Sequence, residues 1–331
     1  MQVLAIAPGK VTLFGEHAIV YGKPAIVAAI DKRVMVSLKL RDDGRIRIAA
    51  YDLMLPGVVL TFSGEEVVIE TDYGRAISAV SYIKKALEIT SEYVGKKVGV
   101  DVEVRSEMPV GAGLGTSAAV SVATIKGYGA VLGVDLSVDE VAKLGHKVEL
   151  EVQGAASPMD TMISSRGGFI FIKPLSGRVD VREIRAAEIP IVIGYVAREA
   201  KTGELVAKVK RLRDKHLDLV DKVLDAIEVL VLEAEEALKE GDFDKLGDLM
   251  NINHGLLEAL GVSNKRLSEL VYVARSAGAL GAKLTGAGGG GCMIALAPGK
   301  TREVAAAITS AGGVVLEAKL GGSGVSAQVV S

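Results

Sequence analysis

The segment EMPVGAGLGTSAAVSVATIKG, from Glu107 to Gly127, places three glycines directly before a run of small residues. That run predicts a helix that begins near Thr116. The first backbone N–H groups of a helix have no partner within it, and the helix dipole makes this end positive. The segment therefore predicts an anion-binding turn, with a phosphate group, a dinucleotide or a plain capped turn as the alternatives.

The glycine pattern fits neither of the two common nucleotide-binding fingerprints. A dinucleotide site requires an acidic residue at the end of a second strand, whereas Asp139 and Glu140 stand at the start of a predicted helix. A Walker A loop requires a Lys-Ser/Thr pair after the glycines, which this segment lacks. The hydroxyl groups of Thr116 and Ser117 are candidates either to cap the helix or to bind a metal ion.

The composition is that of a folded protein with a large core. The 331 residues are 49% hydrophobic and 24% charged, and the net charge is −2. This charge argues against a protein that binds nucleic acid through bulk electrostatics. Glutamates interrupt the most apolar helical stretch, which argues against a membrane span. The single cysteine excludes an intrachain disulfide, and the N-terminus lacks a signal-peptide pattern, so a cytoplasmic location is expected.

The order of the patterns predicts an α+β fold rather than strictly alternating βαβ units. Alternating and β-branched runs dominate the first half, and an apolar stripe among charged residues predicts one or two long helices over 203–240. Strand-like runs return near the end of the chain. A boundary between 177 and 188 is predicted, which gives two domains, 1–180 and 181–331.

The segment after Ser137 predicts a helix with a carboxylate on its apolar face. Ser137 and Glu140 have the spacing of a capping box. At about 3.6 residues per turn, Glu149 falls among valines rather than among the charged residues. A buried carboxylate requires a partner or a cation, and a side chain that reaches solvent from the edge of the stripe is the alternative. Asp160 follows a helix-breaking proline, where a helix cap is the ordinary interpretation.

Two other segments carry residues of interest. Lys10 follows Pro-Gly in an N-terminal strand pattern, and Glu16 and His17 follow another glycine. A solvated charge and satisfied polar residues are the ordinary interpretations. The glycine cluster Gly286–Gly291 precedes an apolar strand, which indicates a steep turn or a group that comes close to the backbone. A flexible hairpin is the alternative.

Three segments together resemble the small-molecule kinases grouped as galactokinase, homoserine kinase, mevalonate kinase and phosphomevalonate kinase. They are PGKVTLFGEHAIVYGKPA, PVGAGLGTSAA and KLTGAGGGGC, in the order and spacing of that family, and they cover nearly the whole chain. Within the group the first segment looks most like the mevalonate kinases, because Ala18 and Ile19 stand where a galactokinase carries Asp-Tyr. The compact chain looks like the archaeal members. Gln153 departs from a histidine of the animal enzymes, and Thr116 replaces the first serine of a Ser-Ser pair.

The resemblance implies two domains, the first like ribosomal protein S5 domain 2 and the second ferredoxin-like, with the active site in the cleft between them. It implies phosphorylation of the C5 hydroxyl of mevalonate by ATP with Mg²⁺, a step of isoprenoid biosynthesis. It implies that the ATP phosphates lie on Pro109, Val110, Gly111, Ala112, Gly113, Leu114, Gly115, Thr116, Ser117, Ala118 and Ala119.

The same resemblance implies roles for individual side chains. Asp160 is the implied general base with Lys10 beside it, and Ser117 and Glu149 are the implied Mg²⁺ ligands. By analogy, the adenine contacts would come from 52–69. The implied substrate contacts are Glu16, His17 and Thr285.

Two alternatives stay open. A sister kinase or decarboxylase acting on a phosphorylated mevalonate intermediate needs extra cations, for which Arg198 and Lys201 are candidates. A non-catalytic, ligand-sensing member should have lost a catalytic residue, whereas Lys10 and Asp160 are both present. Pairing of two copies through the helices of 203–240 is a partner hypothesis, with a solvated face as its alternative. No nucleic-acid or membrane partner is expected.

Overall fold

The computed structural model describes residues 1–50, 58–63, 66–71, 77–108, 112–154, 156–176, 178–200 and 202–330. Several predicted site residues fall elsewhere. Three parts of the prediction lie outside the described residues. They are the first part of the phosphate turn (Pro109, Val110 and Gly111), one of the two candidate cations (Lys201) and part of the adenine region (52–57 and 64–65).

Strands and helices alternate unevenly along the chain. The strands are β1 (Gln2–Phe14), β2 (Ala25–Arg41), β3 (Ile46–Ala50), β4 (Val58–Ser63), β5 (Glu66–Thr71), β6 (Gly99–Ser106), β7 (Phe169–Leu175), β8 (Arg178–Glu183), β9 (Ile191–Val196), β10 (Gly281–Leu284), β11 (Gly291–Leu296), β12 (Val314–Leu316) and β13 (Ser326–Val329). The α-helices are α1 (Ile77–Val94), α2 (Thr116–Val131), α3 (Val138–Gln153), α4 (Met159–Arg166), α5 (Thr202–Lys215), α6 (Leu217–Glu240), α7 (Phe243–Ala259), α8 (Lys265–Ser276) and α9 (Thr301–Ser310).

The first domain is a sheet covered by α1 to α4. Its strand order is β13-β1-β2-β6-β3-β4-β5, and β7 pairs with both β2 and β8. Helix α2 packs on β1 and β2, and α1, α3 and α4 surround it. Its small residues permit this central position: a Cβ added at Gly127 would lie 2.5 Å from Leu38 Cδ1 on β2. The helix that carries the predicted anion site is therefore held on all sides.

Strand β1 is longer than the sequence pattern suggests. The runs VLAIA and VTLF read as two strands separated by Pro-Gly, but they form one strand with a register shift between Pro8 and Lys10. A shift of this kind changes which face of the sheet the following side chains occupy. Gly9 is required there because an added Cβ would lie 2.0 Å from Met108 Sδ. Beyond the shift, Lys10 is buried.

The second domain is ferredoxin-like, as the resemblance implies. Its four strands have the order β10-β11-β9-β12, and all their pairs are antiparallel. Helix α8 precedes β10 and α9 connects β11 to β12, which is a β-α-β-β-α-β arrangement. Helices α5, α6 and α7 are added between β9 and α8. The pattern over 203–240 forms two helices, as predicted, and no helix within the described ranges is both long and apolar enough to cross a bilayer.

The predicted domains 1–180 and 181–331 differ from the sheets in two places. Strand β8 ends at Glu183 and still belongs to the first sheet. At the other end of the chain, β13 returns to pair with β1. The physical reason is that β1 would otherwise present an unpaired edge, and a short C-terminal strand satisfies its hydrogen-bonding groups. A division at one point of the sequence cannot represent this return.

Candidate active site

A cavity of about 680 Å³ is lined by residues of both domains. Arg198, Thr202, Gly286 and Ala287 contribute the wall of the second domain. The predicted site residues that line it are Lys10, Glu16, His17, Gly113, Gly115, Thr116, Ser117, Glu149 and Asp160. The structure therefore brings residues from β1, α2, α3 and α4 to one place.

The turn before α2 leaves the helix end open to an anion. The N-cap residue is Gly115, which has φ 73° and no side chain with which to cap the helix. The Lys10 N–H donates to the Leu114 carbonyl at 2.8 Å, which fixes the turn against β1. A Cβ at Gly115 would lie 2.8 Å from Lys10 Cγ. The alternative of a turn capped by a side chain is therefore not what forms. The buried residues of this segment are Ala112, Leu114, Ala118 and Ala119.

Glu149 and Ser117 form a pair at the cavity wall. The Ser117 hydroxyl donates to Glu149 Oε1 at 3.3 Å, and Glu149 is only 4% exposed, so it does not reach solvent from the edge of α3. Burial, and then the negative charge of Asp160, raise the pKa of Glu149 to about 8, while Ser117 and Lys10 act in the opposite direction. A carboxylate in this position requires a cation.

This donor set fits Mg²⁺. The ion prefers oxygen ligands, usually takes only one or two carboxylates from the protein, and completes its shell with water and phosphate oxygens. The described part of the chain holds no cluster of three or more acidic, histidine or cysteine side chains suited to a metal. Ser117 and Glu149 would therefore hold the ion together with the nucleotide. Tyr82, which the sequence did not indicate, also lines the cavity, and burial raises the pKa of its hydroxyl.

Lys10 and Asp160 form an ion pair beside this site. Lys10 Nζ lies 3.1 Å from Asp160 Oδ1, with the lysine side chain 5% exposed and the aspartate side chain 29% exposed. Asp160 lies in the first turn of α4, whose N-cap is Pro158, so the interpretation of Asp160 as a helix cap is not what the structure shows. Apart from this ion pair, Asp160 Oδ1 has no hydrogen-bond partner among the described residues. The Asp160 side chain as a whole lines the cavity, where its carboxylate could accept a proton from a bound group.

Glu16 is held by two residues that the sequence did not indicate. Lys283 on β10 forms an ion pair with Glu16 Oε1, and the Asn253 side-chain amide on α7 donates to Glu16 Oε2 at 3.3 Å. Lys283 lies in the short strand β10, whose residues are all buried. A lysine within an otherwise apolar strand was the only local signal in the sequence for this contact. Both partners come from the second domain.

His17 and Thr285 also connect the two domains. His17 Nε2 lies 2.9 Å from the Ala287 carbonyl, which can only accept, so Nε2 carries the proton. Burial lowers the pKa of His17, and the ring is neutral near pH 7. The Thr285 hydroxyl donates to the Thr12 carbonyl and accepts from the Thr12 N–H, both at 2.9 Å. Thr285 thus lies behind the cavity wall rather than in it.

The second glycine cluster packs against other backbone rather than forming a flexible hairpin. Gly288 and Gly290 have φ angles of 83° and 96°. Added Cβ atoms would lie 2.1 Å from the Val262 carbonyl oxygen and 2.3 Å from the Ala197 carbonyl oxygen, respectively. Of the two predicted reasons for this cluster, the structure shows both: the turn is steep and the backbone approach is close.

Arg198 is a cation at the opposite wall. It is half-buried, and burial lowers the pKa of its guanidinium, although an arginine keeps its charge near neutral pH. Its Nε has no partner among the described residues, and Nη2 makes one long hydrogen bond of 3.4 Å to the Thr202 hydroxyl. Arg198 lines the cavity, so its guanidinium could bind an anionic group there.

Two family models match the chain: the GHMP kinases N terminal domain over residues 81–168 and the GHMP kinases C terminal domain over 234–314. The chain belongs to the GHMP kinase family. Mevalonate kinase of Pyrococcus horikoshii is 51% identical over 99% of this chain and 98% of its own length. This GHMP kinase also resembles the solved Methanococcus jannaschii mevalonate kinase, with 29% identity and a TM-score of 0.79 over 96% of this chain and 98% of that chain.

A second solved structure supports the fold of this GHMP kinase alone. It is the L. major mevalonate kinase in complex with R-mevalonate, with 24% identity and a TM-score of 0.83 over 96% of each chain. These comparisons confirm the predicted family, the two-domain α+β fold and the assignment of the chain as a kinase.

We expect Glu149→Gln to stabilise the metal-free GHMP kinase at alkaline pH. The pKa of Glu149 rises on folding from its ordinary value of 4.5 to about 8. Between these two values the folded protein keeps a proton that the unfolded chain releases, so stability falls as the pH rises through this window. Glutamine has no proton to lose. The variant should be more stable than the wild type by up to about 4 kcal/mol at pH 8 and equally stable at pH 4.

Urea unfolding in the presence of a chelator, at both pH values, measures this difference. Glu151→Gln is the matched control, because Glu151 is an exposed residue of the same helix. Equal stability of Glu149→Gln and wild type at pH 8 would show that Glu149 is ionised without a metal.

Proposed function

We propose that the chain transfers the γ-phosphoryl group of ATP to the C5 hydroxyl of mevalonate and so forms 5-phosphomevalonate. The observation that carries this proposal is the convergence on one cavity of the open turn before α2, the Ser117–Glu149 pair and the Lys10–Asp160 pair. The relatives that align over nearly the whole chain at about half identity are mevalonate kinases, which supports the choice of substrate.

ATP would bind with its phosphates at the start of α2. The N–H groups of the first helical turn point towards this position, and phosphoryl transfer depends mainly on positioning and on neutralisation of charge. Ser117 and Glu149 would hold Mg²⁺ there, and the bound ion supplies positive charge to the β- and γ-phosphates. The cation would also stabilise Glu149 in its ionised form.

Asp160 would act as the general base. Its carboxylate accepts the proton of the C5 hydroxyl while the new O–P bond forms and the bond between the γ-phosphorus and the ADP oxygen breaks. Lys10, whose Nζ lies 3.1 Å from Asp160 Oδ1, pairs with that carboxylate and would also donate to the transferred phosphoryl group. ADP leaves with the electron pair of the broken bond.

The chemistry of mevalonate matches the remaining polar groups of the cavity. Its carboxylate requires a cation, and Arg198 has unfilled donors at the cavity wall. Its hydroxyl groups require acceptors and donors, which Glu16 and His17 would supply. Pairing of two copies through the helices of 203–240, which are α5 and α6, stays a prediction, as does a cytoplasmic location.

The test is ATP turnover with mevalonate, phosphomevalonate, homoserine and galactose, measured side by side with an ADP-coupled assay. We expect turnover with mevalonate alone. Turnover with phosphomevalonate instead would favour a sister enzyme of the same family. Binding of mevalonate without turnover would favour a non-catalytic, ligand-sensing member.

A further inference from the structure

We infer that Lys283 and Asn253 are positioning residues for the alcohol site. They hold the Glu16 carboxylate from the second domain, and through it they orient the segment that carries Glu16 and His17 towards the substrate. The identity of the alcohol rests on the proposed function. The positioning role itself rests on the contacts between the two domains.

The pair is fully removed from solvent. Lys283 is 0% exposed and Glu16 is 3% exposed. Lys283 Nζ donates to Glu16 Oε1 and also, at 2.7 Å, to the Leu284 carbonyl, and it lies 5.9 Å from the centre of the Phe14 ring. Asn253 occupies the second carboxylate oxygen at 3.3 Å. Each Glu16 oxygen therefore has a defined partner.

Stability alone is a weak explanation for such a pair. The cost of removing two charges from water offsets most of their attraction, and apolar replacements of both partners are often as stable. Removal of only one partner is strongly unfavourable, because the other charge is left buried without compensation. A buried ion pair is better explained by a role in fixing one arrangement of the chain. Because Glu16 lines the cavity, the arrangement fixed here is that of the cavity wall.

Three pairs of residues, which we call the interdomain contacts, join the end of β1 and the residues after it to β10 and the loop after it. Thr12 pairs with Thr285 through two hydrogen bonds, Glu16 with Lys283, and His17 with the Ala287 carbonyl. The interdomain contacts thus set where the end of β1 lies relative to β10 and the loop after it.

The interdomain contacts matter because His17 has an unusual backbone conformation. Its φ is 60°, which makes it the one non-glycine residue with positive φ in the described part of the chain. Such a conformation persists only when its surroundings hold it. The bonds from the second domain supply that restraint.

Glu16 retains the capacity to bind a substrate hydroxyl. An ionised carboxylate has about four acceptor sites, and Lys283 and Asn253 occupy one on each oxygen. The remaining lone pairs can accept a hydroxyl of the alcohol. If Lys283 is lost, Glu16 is expected to rotate, and the acceptor is no longer in place.

The experiment compares Lys283→Met with the wild type. We expect KM for mevalonate to rise about 10- to 100-fold, the usual effect of losing a hydrogen bond to a charged group, and KM for ATP to change by less than about twofold. Asn253→Leu should raise KM for mevalonate in the same selective way, by a smaller factor because it removes a single, longer hydrogen bond. A purely structural role would lower the melting temperature without this difference between the two KM values.

A double variant and a matched control separate positioning from stability. Glu16→Gln with Lys283→Met removes both charges, so we expect recovered thermal stability but a KM for mevalonate that stays high. Arg182→Met breaks another ion pair between the domains, with the largely buried Glu235, away from the cavity. This control should lower thermal stability and leave both KM values within about twofold, as expected for a residue outside the site.

The outcomes are distinguishable. If Lys283→Met does not fold, Asn253→Leu, which leaves the Glu16 carboxylate in place, carries the comparison: a selectively raised KM for mevalonate supports the inference, and a wild-type KM overturns it. Equal changes in both KM values overturn it as well. If the wild type does not phosphorylate mevalonate, the proposed function fails, and the same variants are measured with the substrate of the panel that is turned over.

Discussion

Asp160→Asn is expected to lower turnover by about 10³- to 10⁴-fold, while nucleotide affinity changes by less than about twofold. The asparagine side chain is nearly the same size, but its amide cannot accept the proton of the alcohol. The ATP phosphates would be held by the N–H groups at the start of α2 and by Mg²⁺, so their binding should not depend on this carboxylate. Lys10 would lose its ionic partner but would keep its hydrogen bond to Thr12 at 3.4 Å.

Turnover is measured at saturating substrate, and nucleotide affinity by titration with a non-hydrolysable ATP analogue. Asp135→Asn is a suitable control, because this aspartate side chain is 94% exposed and pairs with Lys126 outside the cavity. Its turnover should equal that of the wild type. A near-normal rate for Asp160→Asn would remove the general-base role and leave only positioning and charge neutralisation as sources of catalysis.

Lys10→Met is expected to lower turnover by about 10²- to 10³-fold, through loss of the charge that stabilises the transferring phosphoryl group. Two carboxylates, Glu149 and Asp160, would then share the site without the lysine. The positive charge of Lys10 lowers the pKa of Glu149, so the variant should hold the Glu149 proton more tightly. Its activity should therefore recover in part as the pH is raised above 8.

A pH series of turnover for Lys10→Met and wild type, at saturating ATP and mevalonate but limiting Mg²⁺, tests this prediction. Lys23→Met is the control, because Lys23 pairs with Asp225 and Glu228 at the surface. That variant should show the wild-type rate and pH profile. An equal loss of rate at every pH for Lys10→Met would separate the lysine from the ionisation of Glu149.

Several features were predictable because they depend on neighbours within one helical turn. The capping box of Ser137 and Glu140 forms as predicted, with both of its hydrogen bonds. Helix α2 begins at Thr116, as the change from glycines to small residues indicated. Glu149 is buried, as its place among the valines of the 3.6-residue repeat suggested. In each case the signal and its structural consequence lie in the same short segment.

Other features could not be predicted from local patterns. Lys283 and Asn253 reach Glu16 across 267 and 237 residues of chain. Strand β13 completes the edge of the first sheet beside β1, at the opposite end of the sequence. Thr285 stands in a family motif, yet its hydroxyl is engaged by the Thr12 backbone behind the cavity. None of these pairings leaves a periodic signal in the chain.

From the sequence, patterning and turn chemistry predicted the α+β class, the open helix end and the Glu149 carboxylate on an apolar helix face. The sequence motifs predicted the kinase family. No local pattern brings Lys10 to Asp160 or Ser117 to Glu149, which only the family resemblance implied, and the tertiary structure alone places the Glu16 carboxylate between two residues of the other domain. The reason is physical: helix propensity and capping act over a few bonds, whereas desolvated charges find their partners only when packing brings distant segments together.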